Sequence, residues 1–393
     1  MPAQPERASG PSGARERQVT RRLLLSGVGL AAVGLFSGVS GMSSRSDIAV
    51  ASSGWPSGLR GACVSSRIDD EGIAAFAATG GNLVRVMCSM APLRDLTAPF
   101  ALNPASFTYL DDVIKACRRH GVWVVLDPHT FPGTTSRDTI YPSDAIWTDK
   151  FYQDLVVDLW EYVAQRYRAA SDVIVGYDLV NEPAVPDVTA TSGLASWNAL
   201  ADRLVSAIRA HDREQMLIIE PAVGPGPGGD WVNRFQAVRY LAPLTDRRTV
   251  VSLHMYAPHA FTMQGVQGRP TGYAYPGEID NHYWDKAALA SYMAPARTYQ
   301  QDHSVPVYIG EFSAARWTGA DGDAYLQDCI DLFEQFGWSW TYLGWRQYEG
   351  WDAEMGTRPD DTHRYQMTPR LSMLERYYRR NPTSGRRVQT SEP

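Results

Sequence analysis

The 393 residues are 44% hydrophobic and 20% charged, with a net charge of -6 and a pI of about 5.8. This is an ordinary globular balance, and no basic cluster with interleaved aromatics is present, which sets nucleic acid aside as a partner. The length permits two domains, but an α/β barrel of about 250 residues or more is also a single domain.

In chain order, Arg15, Arg17, Arg21 and Arg22 precede an apolar stretch over 23–39 that is rich in Gly, Ala and Leu. The stretch falls short of the ~20 apolar residues of a membrane span. It reads as an export signal, and the run Thr20, Arg21, Arg22, Leu23, Leu24, Leu25 resembles a twin-arginine leader. Cleavage is expected near 39–41 or 49–51; an uncleaved anchor is the alternative. The expected organisation is a leader over 1–51, one catalytic domain over 52–381 and a loose polar tail over 382–393. No later segment is long and apolar enough to span, so the expectation is an extracytoplasmic protein, secreted or at the cell surface, with no integral membrane domain after signal removal. Oligomeric state is open.

From about residue 58 strand-like and helix-like segments alternate. Apolar runs at 59–64, 83–86, 122–127, 173–180, 216–220, 249–254, 305–311 and 337–343 predict buried parallel strands. Amphipathic stretches at 69–79, 109–120, 151–167, 196–211, 231–241, 283–301, 324–336 and 368–380 predict helices. Gly80-Gly81, Gly121 and Gly337 supply helix stops. Eight such units predict a closed (β/α)8 barrel, the TIM barrel. An open doubly wound sheet is the rival, weakened because Gly61 to Ser66 carries no Gly-rich phosphate loop.

Four scattered cysteines, Cys63, Cys88, Cys117 and Cys329, show neither CxxC nor Cys/His spacing, so no zinc site is expected. Buried free thiols are expected, with Cys63 and Cys88 the one pair worth considering as a disulfide. Twelve Trp and twenty Tyr suit core packing or platforms for sugar faces; composition favours the core.

A barrel's chemistry collects at the C-terminal ends of its strands. Those ends carry Arg85 on the second strand, Asp127 and His129 on the third, and Asn181 and Glu182 on the fourth. Glu220 follows on the fifth, His254 and Tyr256 on the sixth, and Glu311 on the seventh. The eighth leads to Trp345, Arg346 and Trp351. Two carboxylates facing each other across a cleft, Glu182 and Glu311, are the minimal equipment for breaking a glycosidic bond. Asp178 reads as a structural ion-pair partner and Asp127 as a turn cap; Glu220 is a candidate third site carboxylate, though Pro221 and the Gly-rich loop after it favour a loop anchor.

Asn181-Glu182-Pro183, His254-Met255-Tyr256 and Ile309-Gly310-Glu311-Phe312 resemble signatures of glycoside hydrolase family 5, the cellulase family, in the right order with Arg85 and His129. The resemblance runs from about 58 to 378. It implies a retaining enzyme without metal or cofactor, acting on an oligo- or polysaccharide. Glu311 is then the nucleophile and Glu182 the general acid/base. Arg85 and Tyr256 would hold Glu311 ionised, and the charge of Glu311 would raise the pKa of Glu182 and keep it protonated. Asn181 would bind the sugar 2-OH, with His129 and His254 lining the same subsite.

One departure concerns the eighth strand. Many relatives read Trp-Thr-Tyr-Trp there, but this chain has Trp340-Thr341-Tyr342-Leu343. Trp345 or Trp351 would then supply the stacking platform, or anchor the loop. Long segments after the third strand, 130–150, and the sixth, 255–282, suggest walls that favour short or soluble glycans. The resulting expectation is a secreted, endoglucanase-like retaining glycosidase. Exo action or transglycosylation on short glycans, a non-catalytic sugar-binding barrel, and a metal-dependent hydrolase using His129 and His254 are the rivals.

Overall fold

A computed structural model describes residues 54–95, 97–134, 144–243 and 245–381; the leader, the tail and the middle of the long segment after the third strand lie outside the described residues. The eight expected strands are all present: β1 Arg60–Ser65, β2 Leu83–Met87, β3 Trp123–Asp127, β4 Ile174–Asp178, β5 Met216–Ile219, β6 Thr249–Met255, β7 Val307–Phe312 and β8 Ser339–Tyr342. Each pairs in parallel with its chain neighbours, and β8 returns to β1 to close the barrel. With both faces covered, the strands need no polar alternation, which is why they read as continuous apolar runs.

Side chains two apart along a strand share a face, and this rule places the site. The lower barrel interior is an apolar cluster that includes Leu83, Val125, Ile218, Val250 and Tyr308. Two residues further along each strand the same inward face carries Arg85, Asp127, Glu220, Ser252 and Gly310. The interior therefore turns from oil to charge at one level.

The main helices are α1 Asp70–Ala78, α2 Pro104–His120, α3 Lys150–Tyr167, α4 Trp197–Arg209, α5 Arg234–Ala237, α6 Lys286–His303, α7 Gly319–Phe336 and α8 Pro369–Tyr378. Asp69, Asn103, Asp149, Ser196, Asn233, Asp285 and Thr368 each accept a backbone N–H at the helix start, as short oxygen-bearing side chains do. Gly121 and Gly337 end α2 and α7 at φ of 70° and 71°, a region open to glycine without a Cβ clash. Helix α2 begins five residues before its expected start, because Asn103 caps it and Pro104 fits its first position. The helix expected over 231–241 is mostly absent. Trp231–Val232 instead pairs with Gly224–Pro225 in a hairpin, and only the four residues of α5 and a 3-10 turn, Val238–Tyr240, follow.

Two loops on the site's rim are tied down. After β6, the side chain of Gln264 accepts from the N–H groups of Gly272 and Tyr273 and donates to the carbonyl of Tyr273, and a hairpin pairs Gly277–Ile279 with His282–Trp284. After β8, the loop over 343–368 is held by Arg316, which is buried and donates to the carbonyls of Glu349, Gly356, Arg358 and Pro359. All four cysteines are buried and unpaired.

Candidate active site

Arg85 stands on the inner face of β2 with no exposure. Its guanidinium reaches Glu311 Oε1 at 2.6 Å, Asp178 Oδ2 at 2.9 Å, Asp127 Oδ2 at 3.1 Å and Glu220 Oε1 at 3.4 Å, and it donates to Asn181 Oδ1 at 2.9 Å. One cation thus organises four carboxylates. Removing any partner would strand a buried charge, so these residues stand or fall together. Burial and the like charges of Glu220 and Asp127 outweigh Arg85 at Asp178, whose carboxyl is pushed up to about 7. The expected ion pair with Asp178 is present. Asp127 caps the backbone N–H of His129 at 2.8 Å, as expected for a turn, and also receives His129 Nδ1 at 2.7 Å.

Glu311 is placed by a slip in the ladder. The register of β7 against β6 shifts between Ile309 and Glu311, so that Glu311 pairs with His254. Such bulges re-aim a side chain at the cost of one unpaired residue, and here the extra residue is Gly310. Tyr256 donates its hydroxyl to Glu311 Oε2 at 2.7 Å. Burial pushes the Glu311 carboxyl up, but the charges of His254 and Arg85 outweigh it and hold the group below the usual carboxylate range.

Glu182 sits just past β4 at φ 46°, and His129 at φ 65°. Residues other than glycine rarely adopt such angles, which cost about 1–3 kcal/mol and persist where the surroundings over-determine them. The surroundings of Glu182 form a ring of alternating charge. Its Oε1 meets His254 Nδ1 at 2.7 Å, His254 Nε2 lies 3.1 Å from Glu220 Oε1, Glu220 Oε2 meets Arg234 Nη1 at 3.4 Å, and Arg234 Nη2 returns to Glu182 Oε2 at 2.9 Å. The backbone N–H of Glu182 also donates to Glu220 at 3.1 Å.

The electrostatics of this ring correct an expectation. Burial pushes Glu182 up, but Arg234 and then His254 outweigh it, and the carboxyl lies well below its ordinary range. In the empty site the charge of Glu311 therefore does not keep Glu182 protonated. The proton rests on His254: burial opposes it, but Glu220 and Glu311 prevail and the imidazole is pushed up to about 10. His129 is likewise raised, with Asp127 overcoming burial.

Glu182, His254 and Glu311 each bring one donor atom within 4.8 Å of the others, the one such cluster of three or more among the described residues. Its chemistry is wrong for a cation. His254 Nδ1 already faces Glu182 Oε1 at 2.7 Å, and Arg85 and Arg234 lie within 3 Å of the two carboxylates. A metal ion would have to displace both guanidinium groups.

The strand ends thus bring together Arg85, His129, Asn181, Glu182, His254, Tyr256 and Glu311. Trp345 is elsewhere. It is buried, its Nε1 donates to the Gly72 carbonyl at 3.0 Å, and it packs edge-on against Phe76 of α1 at 5.7 Å. It anchors the loop and is not a sugar platform. Trp351 stays partly open, 4.7 Å from Tyr348 in the same loop. Leu343 fills a small apolar cluster with Cys63, Met87 and Tyr256, so it supports the hydroxyl donor from below. One residue that the sequence offered was given the lesser role, and another escaped it. Glu220 is not a mere loop anchor but a fully buried member of the ring, and Arg234 arrives from α5. The inward period of β5, Ile218 to Glu220, was the available signal for the first; nothing in the local pattern marked the second.

Comparison with known proteins agrees with this geometry. The pattern of Cellulase (glycosyl hydrolase family 5) matches residues 50–349. A β-xylosidase of Phanerodontia chrysosporium is 38% identical over 157 residues, covering 38% of this chain but only 31% of its own length. Endoglucanase C of Acetivibrio thermocellus is 26% identical over 264 residues, 60% of this chain and 72% of the relative. In fold, the crystal structure of endoglucanase Cel5A from Thermotoga maritima superposes with a TM-score of 0.58 at 20% identity, over 75% of this chain and 91% of that one. A barrel closed by eight parallel strands, a carboxylate pair at its mouth and a family pattern spanning both lead to one assignment: the chain belongs to glycosyl hydrolase family 5, the cellulase family.

Proposed function

We propose that the protein is an exported, endoglucanase-like retaining glycosidase that cleaves a β-linked glycan or β-glycoside by double displacement. The observation that carries this reading is the approach of Glu182 and Glu311 oxygens to within 4.8 Å. Inverting enzymes keep their carboxyl groups ~6.5–9.5 Å apart to seat a water, whereas retaining pairs stand ~5–5.5 Å apart. Glu311 attacks the anomeric carbon, and the glycosidic C–O bond breaks as Glu182 protonates the leaving oxygen. Water then adds to the anomeric carbon, Glu182 takes its proton, and Glu311 leaves as carboxylate. Arg85 and Tyr256 hold the two oxygens of Glu311. With Asn181 Oδ1 turned to Arg85, its amide N–H groups are free for a sugar hydroxyl, and the partly open pair of Trp351 and Tyr348 on the loop after β8 is the proposed stacking surface. Export rests on the arginine-led apolar leader.

Likeness to a β-xylosidase as well as to endoglucanases supports short glycosides as a second substrate class, together with the anchored walls after β6 and β8. The test is a panel of aryl β-glycosides and soluble β-glucans, mannans and xylans, with Glu311→Ala alongside. The expected result is turnover of at least one member that vanishes in the variant, and partial rescue of Glu182→Ala by azide. Full activity in either alanine variant would overturn the roles.

A further inference from the structure

Each oxygen of Glu182 has a close neighbour in the ring. Oε1 faces the imidazole of His254, which has no side-chain exposure, so Oε2 is the oxygen on the substrate side. That oxygen is covered by Arg234 Nη2 at 2.9 Å. The Glu182 side chain keeps 39% exposure, so a leaving oxygen can reach it, but a guanidinium at that distance holds the carboxyl ionised and so without a proton to give. We propose that Arg234 is a displaceable counter-ion: it holds Glu182 Oε2 in the empty enzyme, and the leaving-group part of the substrate moves it aside before Glu182 donates its proton. The proposal rests on the reading of Glu182 as the acid/base, and it makes Arg234 a positioning residue, since Arg234 acts through Glu182.

Several groups face Glu182: Arg234 from α5, His254 from β6, Glu220 from β5, Glu311 from β7, His129 after β3 and Tyr256 after β6. Among the cations, His254 is locked between Glu182 and Glu220, and His129 is held by Asp127. Arg234 is different. Its side chain keeps 14% exposure, its remaining carboxylate contact is the longer one to Glu220 at 3.4 Å, and it follows the segment Gly224, Pro225, Gly226, Pro227, Gly228, Gly229. When it swings off, Glu182 loses its nearest positive charge on the open side, and Oε2 takes up a proton from solvent as the substrate enters. Before that, the ion pair keeps the donor discharged.

The experiment is a pair of pH profiles on the intact enzyme, using an alkyl β-glycoside of the sugar that the aryl panel identifies. Its poor leaving group makes bond cleavage limiting and protonation necessary. The basic limb of kcat/KM reports Glu182 in the free enzyme, and that of kcat reports it in the complex. The expected wild-type result is a kcat limb at least about one pH unit above the kcat/KM limb, the scale set by an opposite charge within ~4–6 Å. In Arg234→Met the kcat/KM limb moves up to meet that of kcat, and Arg234→Lys restores part of the gap. The 2,4-dinitrophenyl glycoside, which needs no proton, shows no gap in the wild type.

Coincident limbs in the wild-type alkyl profile would overturn the proposal without any variant. So would an Arg234→Met enzyme that loses the same factor on both substrates with its limbs in place, which is what a merely structural arginine would give. Failure of the underlying reading is seen separately, as full alkyl-glycoside turnover by Glu182→Ala with Arg234 intact.

Discussion

His254 ties the chemistry of the site to the stability of the barrel, and the tie has a sign and a size. The imidazole is buried and pushed up to about 10 by Glu220 and Glu311, from an ordinary value of 6.5. A base whose folded pKa is raised stabilises fully below its unfolded value and loses that stability as pH rises through the folded one. The native state binds more protons in this window, so the slope of stability with pH is negative. Asp178 near 7, the raised His129, and the four thiols, which burial keeps protonated while unfolded thiols ionise near ~8.5, add their own losses across pH 7.5 to 9, so the imidazole is read as a difference between two proteins over that interval. Across it, two proton-binding curves centred at 6.5 and 10 give a loss of about 2 kcal/mol. The assay is urea unfolding at fixed ionic strength in the wild type and in His254→Asn, whose amide stands near the position of Nδ1. The wild type should lose about 2 kcal/mol more than the variant between the two pH values. Parallel losses in both proteins would refute an imidazolium in the resting site, and with it the assignment of the resting proton to His254.

Two other expectations follow from single contacts. Tyr256→Phe removes the hydroxyl that meets Glu311 Oε2 at 2.7 Å; a hydrogen bond to a charged group contributes about 1.5–3 kcal/mol, so kcat/KM of the folded enzyme should fall by roughly 10- to 150-fold, and a fall of under threefold would remove Tyr256 from the site. Trp345→Ala should cost about 3–5 kcal/mol of stability, as large buried aromatics do, while KM of the folded fraction stays within about twofold; a rise in KM of tenfold or more at unchanged stability would restore Trp345 as a platform.

The barrel was legible because burial on both faces forces each strand into an uninterrupted apolar run, and glycines such as Gly121 and Gly337 mark where helices end. Arg85, Glu182, His254, Tyr256 and Glu311 were legible because they end those runs. What escaped were residues whose place depends on a turn. The spacing of Trp231, Phe235, Val238 and Leu241 imitates a helical face, but backbone pairing between Trp231 and Pro225 removes its first turn, and the shortened α5 delivers Arg234 to Glu182. Trp345 misled for another reason. An indole in a loop has the same composition whether it faces sugar or core, and only the gap beside Phe76 and the free carbonyl of Gly72 decide. The protonation of the Glu182 ring was not readable at all, since it depends on the balance of three neighbouring charges that sequence order does not reveal.

Arg316 fastens the loop after β8 through carbonyl oxygens of Glu349, Gly356, Arg358 and Pro359. Every residue type supplies a carbonyl, so this fastening is blind to what the loop displays. The wall is further tied by Trp345 to Gly72 and by the ion pairs of Arg346 with Glu354 and Arg364 with Asp352, while exposed side chains such as Tyr348 are left free to change. Variation in that wall can therefore retune what enters the cleft without renegotiating the scaffold beneath it.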